Sequence, residues 1–327
     1  MTFKSTLMGA AAVLSLTVSA GTAFAQDAAE LIYSDTVADA DPRSELIKTA
    51  FGDCLAESLT FQPYHGATLF KQGTELTAMQ RGNLDMANLA IFDFYNQVPA
   101  ASILGTAYLF RDYDHMRAVY NSDVLDGLIG DIEDATKIKI LSWPYIGTRH
   151  VNIKGDKDVQ TPEDLAGVKL RMPGGEGWQF VGTALGANPT PMAFTEVYTA
   201  LQTGAIDGQD NPLPADKSMK FYEVTDQIVL TGHLIANNIF AISQSKWDSL
   251  DEAQQTSVQA CADDFEAELD AMTIEQEAEL VTFMEDEGLK VYEPNKEAFR
   301  NHVLQQYMDS DFSKDWPEGL LDKISAL

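Results

Sequence analysis

The chain reads as an α/β protein of two domains with mostly parallel sheets. Three observations predict this. Strand-like and helix-like segments alternate along the first part of the chain. The same alternation restarts near residue 147 with its own turn residues. About 300 residues remain once an N-terminal leader is set aside, past the size at which a single core usually keeps growing.

The leader is residues 1–25. It carries Lys4 as its one charge, an apolar and small-residue stretch over 7–18, and ends in Ala23-Phe24-Ala25, a small-x-small cleavage signature. A membrane span needs about 18 or more apolar residues in a row, and this stretch is shorter and interrupted. The pattern predicts a secretory signal peptide cut after Ala25. No cysteine follows the cut to take a lipid, and no later segment is apolar enough to span a bilayer. A soluble, exported chain is the expectation.

Residues 30–34 (ELIYS) read as a first strand. Asp41-Pro42-Arg43 then opens a helical pattern over 44–58, with Leu46, Ile47, Ala50, Phe51 and Leu55 on one face. Residues 59–64 predict a second strand, 74–81 a helix stopped by Gly82-Asn83, and 84–90 a third short strand. In the second unit, 137–143, 149–153 and 168–172 read as strands. Thr161-Pro162-Glu163-Asp164 starts a helical turn with a cap and a first-turn proline. From 250 to 287 the chain is rich in Glu, Ala and Gln at helical spacing, which predicts long surface helices with acidic faces. No internal repeat or low-complexity tract is present.

The formal net charge is −28, and because the leader holds one lysine and no acid the rest of the chain stands at −28 − 1 = −29. Such a charge repels polyanions, so nucleic acid and anionic membrane surfaces are poor partner candidates. An anionic ligand would have to be gripped by locally placed arginines against the global field. Only Cys54 and Cys261 are available for redox chemistry. In an oxidising compartment the pair invites one disulfide, and two buried free thiols are the competing arrangement.

Catalytic signatures are absent. There is no G-x-S-x-G elbow, no G-x-x-x-x-G-K-[ST] loop and no H-E-x-x-H. His65, His115, His150, His233 and His302 lack metal-ligand spacing, so no metal is expected, and Gly174-Gly175-Glu176-Gly177 does not complete a dinucleotide fingerprint because Phe180 stands at its sixth position. Acidic pairs such as Asp112 and Asp114 read as solvated surface in so acidic a chain. The sequence predicts no enzyme and no cofactor.

The informative stretch is 147–212. It contains GTRHVNI, TPEDLAGVKLRMP and LGANPTPMAFTEVYTALQTGAIDGQDNP, and is flanked by GNLDMA (82–87), LFRDYDHMRAV (109–119), FYEVTDQ (221–227) and TGH (231–233). Over nearly the whole chain, in order, this resembles the DctP family of TRAP-transporter periplasmic solute-binding proteins. The K-L-R-M-P motif paired with A-L-Q-T-G-x-x-D-G-Q-[ED]-N-P is specific to that resemblance. It implies a two-lobed, periplasmic-binding-protein-like α/β fold with a hinge and long C-terminal helices. Residues 26–146 and 237–275 would form lobe I, residues 147–236 and 276–327 lobe II, with the ligand cleft between them. It also implies a periplasmic location, a small organic carboxylate as ligand, and the small and large integral-membrane TRAP subunits as partners. The Cys54–Cys261 bond would lie in lobe I.

Site residues follow from the same resemblance. Arg171 matches the arginine that grips the substrate carboxylate. It also ends a buried-type strand, where clefts of open α/β sheets lie, and only a guanidinium forks onto a carboxylate through two parallel bonds. Arg149 matches a second arginine, with a salt bridge between domains as the competing role. Asn211 matches an asparagine that bonds the carboxylate, against an ordinary turn residue. Phe194 matches an aromatic packed on the ligand, against a core residue. Sialic-acid-binding members carry an acid and an arginine where this chain has Ala90 and Asp93, while Phe92, Phe94 and Trp178 add aromatic area. Phe92 and Trp178 are therefore expected in the pocket wall, or else in the core. They tilt the expected ligand toward an aromatic or partly apolar monocarboxylate. A C4-dicarboxylate held by both arginines is the alternative, and a periplasmic carboxylate-processing enzyme a remote one.

Overall fold

The computed structural model describes residues 1–2 and 28–327, so the apolar stretch and cleavage signature of the expected leader lie outside the described residues. Eleven strands follow among the described residues: β1 (Ala29–Ser34), β2 (Leu59–Tyr64), β3 (Met86–Leu89), β4 (Ile138–Ser142), β5 (Tyr145–Ile153), β6 (Lys169–Met172), β7 (Asn188–Pro191), β8 (Gly208–Pro212), β9 (Gln227–Asn237), β10 (Ile239–Ser243) and β11 (Lys290–Tyr292). They form two sheets, one ordered β2-β1-β3-β10-β4 and the other β11-β9-β5-β8-β6-β7. Each sheet, with its helices, is one lobe.

Parallel pairings outnumber antiparallel ones by only five to four, so the sheets are more mixed than expected. β2-β1-β3, β8-β6-β7 and β11-β9 are parallel, but β10 runs antiparallel to β3 and β4, and β5 runs antiparallel to β8 and β9. The reversals arise where the chain passes between lobes without a crossover helix. β4 continues through Trp143-Pro144 into β5, and β9 continues through Asn238 into β10. Asn238 N donates to Pro144 O at 3.0 Å, tying the two passages together.

In lobe I side chains alternate across the sheet with the strand period of two. Ala87, Leu89, Ile138, Ile140, Ile239 and Ala241 face one core, which also receives Met116 and Ile132 from covering helices. Met86, Leu141, Phe240 and Ile242 face the other. The second core is closed by a helix that begins at Pro42, capped by Asp41, and widens into a π-helix over Ile47–Gly52. The helical pattern expected over 44–58 thus stops at Gly52. It is also closed by the 35-residue helix Glu252–Asp286, started by a capping box of Asp251 and Gln254. That single helix replaces the several expected surface helices. It is not purely a surface element, because Val258, Cys261, Ala262, Phe265 and Leu269 bury one stripe against lobe I, and Leu280 and Met284 bury another in lobe II.

The same helix braces the passage between lobes. Tyr145 N donates to Asp270 Oδ1 at 2.7 Å, and Glu277 accepts from Tyr145 Oη at 2.7 Å and from Thr148 N at 2.6 Å. Gly147 permits this approach: its φ is +111°, and a Cβ there would lie 2.7 Å from Pro212 Cβ. Cys54 and Cys261, with Cα atoms 5.7 Å apart, form a disulfide that staples the turn after the π-helix to the long helix. Beyond it, Phe299, Val303 and Tyr307 pack into the lobe II core. The expected second-lobe segment 276–327 divides at its end, because Leu320 and Ile324 bury their apolar side chains in the lobe I core instead. No helix among the described residues is long and apolar enough to cross a membrane.

Candidate functional site

Several parallel strands end on one crevice, as open α/β sheets do at their carboxyl edges. Asp35, Thr36 and Val37 follow β1, Ala90 follows β3, Pro173–Gly175 follow β6, and Pro212 closes β8; all line one cleft of about 380 Å³ between the lobes. Arg149, Arg171, Trp178, Phe194 and Asn211 line it from lobe II and Phe92 from lobe I, so the six residues singled out by sequence meet in one place.

Arg171 is fully buried. Its Nε donates to Met192 O at 3.0 Å and its Nη2 to Gln72 Oε1 at 3.3 Å, while Phe194 lies 5.7 Å below the guanidinium. No carboxylate forms an ion pair with it among the described residues. Desolvation pulls its pKa down to about 9; the Asp210 charge opposes the fall and the neighbouring Arg149 charge adds to it. A buried cation without a counterion is costly, and the open side of this one faces the cleft.

Arg149 is committed differently. Its Nε donates to Asp210 Oδ2 at 2.8 Å and its Nη2 to Asp210 O at 2.6 Å; His233 Nε2 lies 3.1 Å from the same Oδ2. β5, β8 and β9 are neighbours, so these three side chains meet within one sheet and the ion pair does not join the lobes. Burial alone would raise the Asp210 carboxyl, but Arg149 and His233 hold it well below the usual range.

Asn211 donates through Nδ2 to Gln209 Oε1. Gln209 in turn donates to Asp216 Oδ1 at 2.7 Å and Asn152 Oδ1 at 3.3 Å, so the orientation of each amide is set by the next. The Trp178 indole stacks on Phe92, with centroids 3.8 Å apart and planes 23° apart, and lies 4.7 Å from the Arg149 guanidinium. Trp178 is also part of the lobe II core. Trp178 and Phe92 thus line the cleft while turning ring faces to each other and to Arg149.

The lobe I wall is polar. Asp35, Arg43, Gln72, Glu75, Asn88 and Asp93 line it. Arg43 is held by Asp41 at 2.9 and 2.8 Å, Asn88 Oδ1 is buried without a partner, and Ala90 N donates to Asp93 Oδ2 at 2.9 Å. Burial raises the Asp93 carboxyl to about 6, and burial with the nearby Asp93 raises Glu75 to about 7. Sequence reading missed Gln72, Glu75, Asp35 and Asn88 as site residues. The carboxyl-edge rule applied to β1 would have found Asp35; nothing in the local pattern marks Gln72.

Residues 34–315 match the model of the DctP family, bacterial extracellular solute-binding protein family 7. The chain belongs to this family. Among curated DctP proteins, the sialic acid-binding periplasmic protein SiaP of Vibrio cholerae is 32% identical over 265 residues, 81% of each chain. A TRAP periplasmic solute binding protein from Roseobacter denitrificans, solved with bound 3-deoxy-D-manno-oct-2-ulosonic acid, is 46% identical at a TM-score of 0.89, covering 92% of this chain and 99% of that one. Another from Chromohalobacter salexigens, solved with bound D-glucuronate, is 27% identical at a TM-score of 0.83, covering 90% and 99%. The two-lobed fold with a long C-terminal helix is the one these DctP structures share. As a member of this transport family, the chain is a TRAP periplasmic solute-binding protein.

Proposed function

We propose that this solute-binding protein captures a sugar acid through Arg171, closes over it, and delivers it unchanged to the small and large membrane subunits of a TRAP transporter. The observation that carries the reading is the Arg171 guanidinium, buried at the cleft with no carboxylate partner among the described residues. A ligand carboxylate supplies the missing counterion through charge-assisted, bidentate bonds. Phe194 packs under the guanidinium, and Asn211, oriented by Gln209, offers a further polar group beside it.

The opposite wall selects the rest of the molecule. Asp35, Glu75, Asn88 and Asp93 present acceptors that suit hydroxyl groups and oppose a second carboxylate, and Arg43, the cation of that wall, is already paired with Asp41. That wall disfavours a C4-dicarboxylate, as does the engagement of Arg149 with Asp210. The stacking of Trp178 on Phe92 leaves little support for an aromatic acid. The likeness to a structure holding an eight-carbon ulosonic acid directs the proposal to that class, a monocarboxylate with many hydroxyls.

Residues 26–146 with 237–275, and 147–236 with 276 to about the last helix, are proposed to move as the two lobes, by hinge closure of the periplasmic-receptor kind. Export is proposed with cleavage after Ala25, which N-terminal sequencing of the periplasmic protein tests. Calorimetry should find binding of 3-deoxy-D-manno-oct-2-ulosonic acid and much weaker binding of succinate and benzoate. Mass spectrometry after denaturation should return the acid intact. Preferential binding of benzoate or succinate, or recovery of a chemically altered acid, would overturn the reading.

A further inference from the structure

Gln72 belongs to the loop that leads into the lobe I helix Glu75–Gln80, yet its amide oxygen accepts two hydrogen bonds from lobe II. One comes from Arg171 Nη2 at 3.3 Å and the other from Phe194 N at 2.9 Å. Both partners are donors only, so the oxygen and not the NH2 group must face them. These bonds join the lobes directly across the mouth of the cleft, and one ends on the guanidinium that faces the ligand space.

The contact also restricts the guanidinium. Arginine has five N–H donors; Met192 O takes the one on Nε and Gln72 takes one on Nη2. What remains is the Nη1 pair and one hydrogen on Nη2, which leaves the end-on edge of the fork for a carboxylate. Because Gln72 and Arg171 sit on different lobes, the bond exists only when the lobes are together.

We propose that Gln72 is a positioning residue that clasps the lobes over the captured acid and orients the Arg171 fork toward its carboxylate. This rests on the cleft being the acid-binding site. A clasp formed on closure acts after encounter, so it governs how long the acid is retained and leaves capture alone. Its energetic signature is therefore in the dissociation rate.

Gln72→Met keeps the length of the side chain and removes the acceptor. With 3-deoxy-D-manno-oct-2-ulosonic acid as probe, stopped-flow measurement should show dissociation accelerated about tenfold, as loss of a bond to a charged group predicts. The association rate should stay within about twofold, and the ligand-free melting temperature should not change. Gln72→Glu keeps an oxygen at the same reach but adds a charge that competes for Arg171. Its affinity should fall at neutral pH and recover as acid protonates the new carboxyl, a profile that a merely structural role would not produce. A readout that needs no ligand is the exchange rate of the Phe194 amide hydrogen, expected to rise about tenfold in Gln72→Met when its acceptor is lost. Wild-type dissociation and wild-type Phe194 exchange in Gln72→Met would overturn the clasp. Failure of the wild-type protein to bind the probe would instead overturn the ligand assignment, and the Phe194 exchange would then decide the clasp by itself.

Discussion

Replacing Arg171 by methionine should close the empty cleft while abolishing capture. The guanidinium is fully buried, no carboxylate forms an ion pair with it among the described residues, and burial pulls its pKa down to about 9. At about 1.4 kcal/mol per pH unit this corresponds to a ceiling of about 5 kcal/mol against holding the bare cation in the closed cleft. Relaxation and the bond from Gln72 offset part of it. Retaining about 2 kcal/mol still shifts the ratio of open to closed protein roughly thirtyfold. Opening the lobes rehydrates the charge, so desolvation of Arg171 biases the unliganded receptor toward opening without emptying the closed form that Gln72 clasps, and an arriving carboxylate removes that penalty. Methionine fills a similar volume without charge. Ligand-free Arg171→Met should therefore scatter X-rays as a particle at least as compact as the wild type, and calorimetry should find affinity for the sugar acid lowered more than about 100-fold, the worth of a charge-assisted fork. Arg171→Lys should lose more than about tenfold, because charge survives and only the fork is lost. A more extended Arg171→Met, or affinity within about threefold of wild type, would refute the reasoning.

Three further outcomes are expected. Glu75 is raised to about 7 from 4.5, so between those values the native state binds more protons than the unfolded chain; stability should fall as pH rises from about 4.5 to 7, by at most about 3 kcal/mol, and thermal melts of Glu75→Gln should show a flatter dependence over that window. Removing the Cys54–Cys261 bond releases a loop closed across 207 positions, which in the chain-entropy model is worth about 5 kcal/mol. Reductant should lower the melting temperature while leaving the affinity for the acid nearly unchanged, since the bond lies in the lobe I core away from the cleft. Trp178→Ala should cost about 3 to 5 kcal/mol of stability without altering the preference between aromatic and aliphatic acids, because the indole packs on Phe92 and Arg149; a selective loss of aromatic-acid binding would restore the aromatic wall.

Much of this architecture is written locally. The strand pattern over 168–172, the Asp41-Pro42 and Thr161-Pro162 starts and the glycine stops are short-range signals, legible because each depends on a few neighbouring side chains and on backbone sterics. The DctP motifs placed Arg171 and Asn211 near the ends of β6 and β8, where parallel strands open on the crevice, while Arg149 stands mid-strand in β5. Sequence therefore determined the family, the two α/β lobes and the lobe II half of the cleft. It did not determine which strands would reverse, because that follows from where the chain passes between lobes.

Only tertiary structure decided how those residues are spent. Arg149 and Arg171 look alike in sequence, yet the order β9-β5-β8 brings Asp210 and His233 against the first and leaves the second with no ion-paired acid among the described residues. Trp178 and Phe92, 86 positions apart, stack on each other only because the lobes meet there. Gln72 touches Arg171 across 99 positions for the same reason. Local pattern specifies an element and its buried face. The charge state, free edges and partners of a buried side chain depend on through-space neighbours, and those are fixed when the two lobes come together.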